Sequence, residues 1–398
     1  MSSSRHRIAI VGGGPAGLRA AEIAAASGAE VTLFDGKASV GRKLLVAGRG
    51  GLNLTHSEPF EHFIGRYSGP GQPAGLWGEL LANFDAADLR AWAGDLGIET
   101  FRASNGRIYP VEMKAAPLLR RWIERLRVAG VRFAMQHRLI GLRKSKAWEL
   151  SFANGHAESA DAVILALGGG SWPKTGSDGG WIEMFAALGI DCHPLMPANC
   201  GWEHAWPSEV LAAAEGLPLK NISVTAGEVT VAGELLIARY GLEGGAIYQL
   251  GAVLRAMEMP SVAIDFKPTF SHDQLVAKMQ SVRRDFLTEA RSRWKLSEAA
   301  AAILATQGCT DAESLARQTK HCVIDLSGPR PLDEAISSAG GVKWGEIEPS
   351  SLMLNKHPGI FVAGEMVDWE APTGGYLMQG CFATGTRAAN AAVAWLAS

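Results

Sequence analysis

The residues that most clearly indicate a chemical role lie near the start of the chain, where an acid follows three glycines at a characteristic distance. Gly12, Gly14 and Gly17 form a G-x-G-x-x-G pattern, and Asp35 follows Gly12 by 23 residues (35 − 12). In such a pattern the first glycine permits a tight turn, the second admits a pyrophosphate to the main chain, and the third allows close helix packing. An acid about 20 residues further on accepts from a ribose hydroxyl. The spacing predicts a dinucleotide site.

A strand, a helix and a second strand must position these groups. Residues 8–11 are an apolar, β-branched run, 18–27 are rich in alanine, and 31–34 are again apolar. The order predicts a βαβ unit whose helix turns its free N–H groups and positive dipole end toward phosphates. A glycine turn in an ordinary sheet is the alternative, because 47 glycines make chance matches common.

Composition limits the class of protein. The 398 residues are 47% hydrophobic and 20% charged, as in globular proteins, and predict two domains, one of which interrupts the other. With 38 basic and 40 acidic residues, the net charge of −2 provides no general attraction to DNA or anionic membranes. A local basic patch remains open. We expect no membrane or DNA partner.

Cysteine usage favours a reducing compartment. The five cysteines are scattered and never spaced C-x-x-C, which argues against a disulfide scaffold, a zinc site and a dithiol relay. The opening resembles a signal peptide, but glycines interrupt its apolar run after four residues. No apolar run approaches the roughly 18 residues of a membrane helix. We therefore expect a cytoplasmic protein.

A glycine-punctuated loop over 36–55 follows the second strand. Such a loop can fold over an anionic cofactor and place polar groups beside its reactive ring, or it can be a solvated surface loop. Its cationic and hydrogen-bonding side chains are Lys37, Arg42, Lys43, Arg49, Asn53 and Thr55.

Between 85 and 160 the sequence predicts two helices and a small sheet. Asp85 can cap a helix to about 96, and 115–128 form an amphipathic helix with four arginines, more typical of a solvated face than of a nucleic-acid stripe. Three short runs within 131–160 predict an antiparallel meander.

The rest of the chain predicts an insertion followed by a return to the first domain. An apolar strand at 161–167 is followed directly by glycines, whose main chain can come close to a ligand. The inserted segment predicts a hairpin with its turn at 232–233 and helices at 273–286 and 298–306. A strand at 359–363 and a helix at 377–396 complete the chain, and their junction can stabilise negative charge on a ring carbonyl.

Several motifs together resemble the HI0933-like flavoproteins, also called BaiN or YhiN-type FAD-dependent oxidoreductases. They are GGGPAG, GRKLLVAGRGGLNLTH, LALGGGSWPKTGSDG, GELLIARYGLEGGAIYQL, SSAGGV and FVAGEMVDWEAPTGGYLMQGCFATGTRAAN. The resemblance implies a glutathione-reductase-like, Rossmann-type α/β FAD domain from both chain ends, 1–190 and 344–398. It also implies an inserted domain, 191–343, of a small β-barrel plus helices.

The resemblance also implies which residues hold FAD. It assigns the pyrophosphate to Gly12, Gly13, Gly14, Pro15, Ala16 and Gly17, the adenosine ribose to Asp35, and the loop over phosphate and flavin to Arg42, Lys43, Asn53 and Thr55. It assigns the adenosine side to Leu139, Ala166, Gly168 and Gly169, the ribityl chain to Gly364 and Glu365, and the flavin ring to Gly375, Tyr376 and Gln379. No metal is implied.

Three departures from the family pattern concern the substrate side. The usual G-G-R-C-N is Gly50-Gly51-Leu52-Asn53 here, T-H-x-G-I-S-G-P is ARYGLEGGA, and G-G-Y-N is GGYL. FAD binding survives these changes, while the pocket points to a divergent subfamily.

Three functions follow as hypotheses. The first is an FAD-dependent oxidoreductase that moves hydride from a donor to an unidentified small-molecule acceptor. Because no second G-x-G-x-x-G follows a strand, NAD(P)H would dock transiently. The second is a flavin-dependent reductase of a base in structured RNA, docked near the arginines of 120–127. The third is a flavin-binding redox sensor without turnover. For Tyr376 and Arg49, a structural role is favoured over acid catalysis.

Overall fold

The computed structural model describes residues 6–398, which fall into two compact units. The first unit combines the two ends of the chain, up to Met196 and from Ile336 onward. The second unit is Pro197–Ala335.

The elements are given in chain order. The strands of the first part are β1 (Arg7–Val11), β2 (Glu30–Asp35), β3 (Thr55–His56), β4 (Thr100–Arg102), β5 (Arg107–Pro110), β6 (Arg132–Met135), β7 (Leu139–Lys144), β8 (Trp148–Phe152), β9 (Ala157–Ala160), β10 (Ala162–Leu165) and β11 (Cys192–Ala198). Its helices are α1 (Pro15–Ala26), α2 (Arg42–Ala47), α3 (Phe60–Ile64), α4 (Leu76–Ala82), α5 (Ala86–Asp95), α6 (Ala115–Val128) and α7 (Trp181–Ala187).

The middle part contains β12 (Trp202–Glu203), β13 (Pro218–Ala226), β14 (Val229–Ala238), β15 (Gly241–Glu243), β16 (Ser261–Asp265), β17 (Cys322–Asp325) and β18 (Gly328–Pro329). Its helices are α8 (Ser208–Ala214), α9 (Gly245–Gln249), α10 (Gly251–Arg255), α11 (His272–Ala277), α12 (Phe286–Arg293), α13 (Glu298–Ala305) and α14 (Ala312–Lys320). The last part contains β19 (Ser337–Val342), β20 (Ile347–Glu348), β21 (Met353–Leu354), β22 (Ile360–Val362) and α15 (Tyr376–Ala397).

A seven-stranded sheet forms the centre of the first unit, in the order β20-β21-β22-β10-β1-β2-β6. The pairs from β22 to β6 are parallel. Ile10, Ile164 and Phe361 on three adjacent strands are buried, as expected of a parallel sheet covered on both faces. Since β22 comes from the far end of the chain and pairs with β10, both chain ends build one sheet.

Two alanine-rich helices, α1 and α15, pack against each other at close range. A Cβ on Gly385 of α15 would lie 2.4 Å from the carbonyl oxygen of Ala16 in α1. Only a glycine allows this backbone approach, which brings the C-terminal helix against the N-terminal βαβ unit.

Several predicted elements of the first unit are confirmed. Asp85 accepts hydrogen bonds from the N–H groups of Ala87 and Asp88 and caps α5, α6 has the predicted bounds, and α15 fills the predicted last helix. The loop over 36–55 is more regular than predicted, since it contains α2 and the 3-10 turn Gly48–Gly50.

The predicted meander within 131–160 is only partly correct. Strand β6 leaves the meander and pairs parallel with β2, with Leu33 opposite Phe133. The remaining runs form an antiparallel sheet of β7, β8 and β9. The apolar content of the first run was compatible with either sheet, and no residue of β6 is fully buried, so its side-chain pattern does not distinguish them.

The second unit contains an antiparallel sheet in the order β17-β16-β13-β14-β15-β12-β18. Its two end strands are joined by only Leu326 and Ser327. Seven strands laid flat would separate the ends by roughly 29 Å, whereas the connection from Asp325 to Gly328 spans at most about 11 Å. The sheet must therefore curl almost into a barrel, as the resemblance implied.

Two predictions for the second unit were wrong. The hairpin turn lies at Gly227 (φ +55°), not at 232–233, because Ala232 and Gly233 pair with Ser223 and Ile222 inside one continuous strand. A Cβ on Gly233 would lie 3.4 Å from the Cβ of Ala246 in α9, so the glycine leaves room for that helix beside the strand. The helix predicted over 273–286 is divided into α11 and the start of α12.

Candidate functional site

The glycine turn after β1 has the geometry that its spacing predicts. Gly12 has φ +108°, and a Cβ there would lie 2.1 Å from the carbonyl oxygen of Ala166. A Cβ on Gly17 would lie 1.9 Å from the carbonyl oxygen of Gly12. A Cβ on Gly14 would meet nothing within 4 Å. Two glycines are therefore required for packing, and Gly14 leaves open space at the N-terminus of the 12-residue helix α1.

Asp35 is held at the end of β2 by two backbone hydrogen bonds. Its carboxylate accepts from the Gly13 N–H at 2.9 Å and from the Lys37 N–H at 2.8 Å. Burial raises the pKa of Asp35, while the backbone hydrogen bonds of Lys37 and Gly13 oppose that rise. Each carboxylate oxygen has a second lone pair, so Asp35 can still accept from a hydroxyl in the adjacent cavity.

A first cavity of about 760 Å³ opens over the glycine turn. The predicted site residues that line it are Gly12, Gly13, Gly14, Pro15, Ala16, Asp35, Arg42, Lys43, Leu139, Ala166, Gly168, Gly364 and Glu365. The cavity also meets Lys37, a cation of the predicted cofactor loop, and Arg138, which the sequence did not assign to a site. Two cations of α2, the N-terminus of α1 and an acid thus line one cavity.

An ion pair stands where the first cavity meets a second one. The Lys43 ammonium donates to the Glu365 carboxylate and to the Ser171 hydroxyl, each at 2.7 Å. Glu365 also accepts from the backbone N–H of Ser338 at 2.8 Å, and the Ser338 hydroxyl accepts from the N–H of Gly170 at 2.7 Å. The network joins α2, the glycines after β10, β19 and the segment after β22, so it fixes the junction of the two cavities.

The second cavity, of about 480 Å³, is mainly apolar. Pro15, Lys43 and Glu365 line both cavities, so the two spaces are adjacent. Asn53 and Gly375 are the other predicted residues at its wall. The side-chain oxygen of Asn53 is buried and has no hydrogen-bond partner within residues 6–398. A buried acceptor without a partner is costly, and this one is positioned to accept from a ligand.

Five predicted site residues lie outside both cavity walls: Gly17, Thr55, Gly169, Tyr376 and Gln379. The Thr55 hydroxyl donates to the Gln379 side chain at 2.8 Å, and the Gln379 amide donates to the Phe84 carbonyl at 2.7 Å. Gln379 is thereby part of the buried packing behind the wall. A Cβ on Gly169 would lie 2.2 Å from the Ser338 hydroxyl, so this glycine serves the junction network.

Tyr376 is held by its own cluster of side chains. Its ring stacks on His56 with centroids 5.4 Å apart, and the Tyr67 hydroxyl donates to its carbonyl at 2.8 Å. Burial, followed by the interaction with the Glu58 carboxylate, raises the pKa of Tyr376 above its ordinary range. These contacts fix the start of α15, which agrees with a structural role for this tyrosine.

Sequence reasoning missed several residues of the second cavity. Trp172, Ile336 and Trp369 line it, and Cys381 of α15 lines both cavities. Burial, followed by Glu365, raises the pKa of the Cys381 thiol to about 12, so it stays protonated at neutral pH. The tryptophan in the motif GGGSWPKTG was the available signal, because a large apolar residue among glycines and before a proline is unusual for a solvated loop.

The arginines of α6 are largely used inside the chain. Arg121 donates to the carbonyl of Leu96 at 3.0 Å, and Arg125 pairs with Glu22 and lies over the ring of Trp92. Arg127 lies over Phe133. This helix therefore offers less free positive charge than its sequence suggests.

Residues 6–398 contain no cluster of three or more His, Cys, Asp or Glu side chains that could hold a metal ion. None of their helices combines the length and the apolar character that crossing a bilayer requires.

Comparison with known proteins identifies the family of this chain. The sequence from residue 6 to 391 matches the family described as HI0933-like protein Rossmann domain. The chain is 27% identical to the 3-dehydro-bile acid delta(4,6)-reductase of Clostridium scindens, over 97% of this chain and 99% of that protein. It is 23% identical to the ribosomal RNA dihydrouridine synthase of Escherichia coli, over 93% of this chain and 94% of that protein.

A solved structure agrees on the fold. The 3-ketosteroid-delta4-(5alpha)-dehydrogenase of Rhodococcus jostii RHA1, in complex with 4-androstene-3,17-dione, superposes with a TM-score of 0.52 at 17% identity. The match covers 99% of this chain and 98% of that chain. At this identity the likeness concerns the fold alone.

The chain belongs to the HI0933-like family and is an FAD-dependent oxidoreductase with a Rossmann-type α/β fold. The residues present fit that cofactor. Gly14 leaves open space for a phosphate at the N-terminus of α1, the Asn53 oxygen has no partner within residues 6–398, and the first cavity has the size of a ligand site.

Proposed function

We propose that the protein is a reductase of a conjugated carbon–carbon double bond in an apolar small molecule, with NAD(P)H as the electron donor. The observation that carries the proposal is the second cavity, where the proposed ring-side residues Asn53 and Gly375 share a wall with mainly apolar side chains, so an acceptor that reaches the ring meets an apolar surface. The 27% identity to the Clostridium scindens reductase supports it. FAD supplies the hydride-transfer chemistry when bound, and the protein supplies binding, orientation and electrostatics.

The residues of the first unit have distinct tasks in this proposal. The glycine turn and the N-terminus of α1 bind the pyrophosphate, and Asp35 accepts from the ribose. Arg42 and Leu139 hold the adenosine and phosphate side. Glu365, oriented by Lys43, accepts from the ribityl chain, and Asn53 binds at the ring side. Leu52, Trp369 and Met378 exclude water from the second cavity.

The donor is assigned by chemistry. A nicotinamide nucleotide delivers a hydride as a single unit, which matches two-electron reduction of a double bond. The chain contains one glycine fingerprint, which the proposal gives to FAD, so the nicotinamide nucleotide binds transiently and leaves after delivering its hydride.

Reconstitution followed by anaerobic titration tests the proposal. Apoprotein mixed with FAD should retain the cofactor in a one-to-one ratio, and NADH or NADPH should bleach the flavin band. Addition of an apolar conjugated ketone should restore the band and yield a product heavier by two hydrogen atoms. A protein that is bleached but reoxidised by none of a panel of conjugated ketones would contradict the assigned acceptor. A protein that neither donor bleaches would contradict the assigned donor and return the redox sensor to consideration.

A second candidate is reduction of a base in structured RNA. The 23% identity to the Escherichia coli dihydrouridine synthase favours it. The internal contacts of Arg121 and Arg125 weigh against α6 as the docking helix. If RNA is the substrate, its binding should weaken steeply with salt, and binding should be measurable at low ionic strength. No binding at low salt removes this candidate.

A further inference from the structure

A small sheet of the first unit, in the order β3-β5-β4, turns one face outward. Ile108 of β5 is fully buried and pairs with the buried Thr55 of β3. Because neighbouring residues of a strand point to opposite faces, Arg107 and Tyr109 lie on the other side, with Phe101 of β4 directly opposite Tyr109. We call the side formed by Phe101, Arg107 and Tyr109 the hairpin face. None of these three residues lines either cavity.

The hairpin face carries an exposed aromatic pair. The rings of Phe101 and Tyr109 are stacked, with centroids 5.9 Å apart and 28° between their planes. Phe101 is 38% exposed, and Val111, which follows on the same side of the chain, is 56% exposed. Exposed apolar side chains that lie together mark a binding surface, and aromatic rings favour a flat ring as their partner.

The hairpin face also carries a cation without a partner. Within residues 6–398 the Arg107 guanidinium has no hydrogen bond, ion pair or aromatic contact, and the side chain of Asn105 accepts from the backbone N–H of Arg107 instead. Glu58, which follows β3, is already bound by Arg66 through two hydrogen bonds of 3.0 and 2.7 Å. Arg107 therefore keeps its positive charge available for an anionic ligand.

The hairpin face begins at the edge of the second cavity. Gly374 lines that cavity, and a Cβ on it would lie 3.9 Å from the Nε atom of Arg107. Gly51 also lines the cavity, and a Cβ on it would lie 2.6 Å from the terminal methyl of Met113 and 3.6 Å from the ring of Tyr109. A ligand on the hairpin face can therefore extend over these two glycines into the space assigned to the flavin ring.

We propose that the hairpin face binds the adenine dinucleotide part of the nicotinamide donor, with the pyrophosphate at Arg107 and the adenine on the Phe101–Tyr109 pair. The inference rests on the proposed function and locates its donor. Residues two apart on a strand are separated by about 7 Å, the scale of the ribose that joins a phosphate to its base. The nicotinamide passes over Gly51 and Gly374, where its carbon–hydrogen bond breaks and the hydrogen leaves for FAD with both electrons as hydride. The oxidised nicotinamide then departs, as binding on an open sheet face allows.

The small number of binding groups favours a single dinucleotide over a nucleic-acid strand. Proteins that bind single-stranded RNA combine several stacking side chains with a positively charged groove that follows the backbone. Within residues 6–398 the hairpin face offers one aromatic pair and one unpaired guanidinium, which suffice for one base and one pyrophosphate. A guanidinium forms charge-assisted, two-pronged hydrogen bonds with phosphate oxygens.

The test makes two measurements on FAD-loaded protein. Calorimetry measures the binding of tetrahydronicotinamide adenine dinucleotide, a donor analogue that cannot release hydride. Anaerobic stopped-flow absorbance measures the bleaching of the flavin by NADH and by reduced nicotinamide mononucleotide, which lacks the adenylate. We expect the wild type to bind NADH about tenfold more tightly than the mononucleotide, with similar limiting rates of bleaching. Equal affinities for the two donors would overturn the inference.

Variants assign the roles, and each should leave the limiting rate unchanged. Arg107→Gln should weaken NADH and the analogue about tenfold, since one charge-assisted contact to phosphate is lost. Tyr109→Ala should weaken both about tenfold and leave the mononucleotide unchanged, whereas Tyr109→Phe keeps the ring and most of the affinity. Arg102→Gln, on the same hairpin but opposite Ile108 in register, and Phe60→Ala, 43% exposed in α3, are the matched controls and should change neither affinity.

The outcomes separate this inference from the proposed function. FAD content and thermal unfolding are measured for every variant, so a misfolded protein is recognised before binding is scored. If NADH bleaches the wild type and every variant with the same affinity, the donor stands and its location is wrong. If Arg107→Gln weakens FAD retention and spares NADH, the guanidinium belongs to the cofactor and the inference fails.

Two further results would also overturn the inference. If an oligouridylate at low salt displaces the analogue, and Tyr109→Ala loses the oligouridylate but keeps the analogue, the hairpin face is a nucleic-acid site. If neither donor bleaches the wild type, the donor of the proposed function is wrong and its location is wrong with it.

Discussion

Replacing Gly14 by alanine should separate cofactor binding from folding. Gly14 has φ −80° and ψ −179°, an extended backbone that alanine adopts readily, and a Cβ there meets no atom of the chain within 4 Å. Loss of glycine at the helix N-cap costs a few tenths to about 1 kcal/mol, and reduced freedom of the unfolded chain returns about 0.4–1 kcal/mol. The free energy of unfolding of the apoprotein should stay within about 0.5 kcal/mol of wild type.

The same methyl group would occupy the space that the pyrophosphate needs. Overpacking costs about 1–3 kcal/mol, and weakening one charge-assisted hydrogen bond to the helix N-terminus costs about 1.5–3 kcal/mol. A total of about 3 kcal/mol corresponds to FAD binding about a hundredfold weaker. The assay pairs thermal unfolding of apoprotein with FAD titration followed by tryptophan fluorescence.

Two further glycine variants give this prediction its controls. Gly78→Ala in α4 also adds a methyl group that meets nothing within 4 Å, so FAD affinity should not change. Gly12→Ala should destabilise the fold itself by several kcal/mol, because φ is +108° and the methyl would lie 2.1 Å from the Ala166 carbonyl oxygen. If Gly14→Ala binds FAD as tightly as wild type, the cradle is not where the pyrophosphate lies.

Three other predictions concern the cavity walls and their supports. Lys43→Met should destabilise the protein by about 2 kcal/mol, because the Glu365 side chain, which is 12% exposed, loses its partner. Adding Glu365→Gln should recover part of that loss. Equal free energies of unfolding for the single and double variants would contradict this coupling. Burial raises the pKa of Glu58, but hydrogen bonds from Arg66 and Tyr376 outweigh it and hold the pKa below its ordinary value. Because the Glu58 pKa is lower in the folded protein than in the unfolded chain, the ionised carboxylate stabilises the fold at neutral pH. This stabilisation is lost as the pH falls below the ordinary glutamate pKa and through the lowered pKa of the folded state. Glu58→Gln should therefore cost about 1 kcal/mol at neutral pH and nothing in strong acid. At Trp172, φ +59° predicts that the glycine variant is more stable than the alanine variant by about 1 kcal/mol, whereas an ordinary position shows the reverse order.

The sequence was most informative where one local pattern determines one geometry. Gly12, Gly17 and Asp35 took their predicted places, because steric contact and hydrogen bonding within a single βαβ unit decide them. Asp85 capped α5 for the same reason.

Long-range packing decided the positions that the sequence could not reveal. Strand β6 joined β2 instead of its sequence neighbours, and the pattern of its side chains suits either sheet. Tyr376 and Gln379 follow a glycine pair that reaches the second cavity, yet His56, Glu58 and Phe84 draw their side chains elsewhere. The sequence shows a tryptophan at position 172 but not its left-handed backbone. That conformation depends on the hydrogen bond from Thr175 to the Trp172 carbonyl and on the neighbouring Ser171, which accepts from Lys43.

Hydrogen exchange with and without FAD tests most directly whether the two ends of the chain form one cofactor site. The structure predicts that FAD slows amide exchange in peptides from both ends, around 12–17 and 35–53 and around 364–381, and leaves α11–α14 unchanged. Protection confined to the N-terminal peptides, with 364–381 exchanging as fast as in the apoprotein, would contradict the account.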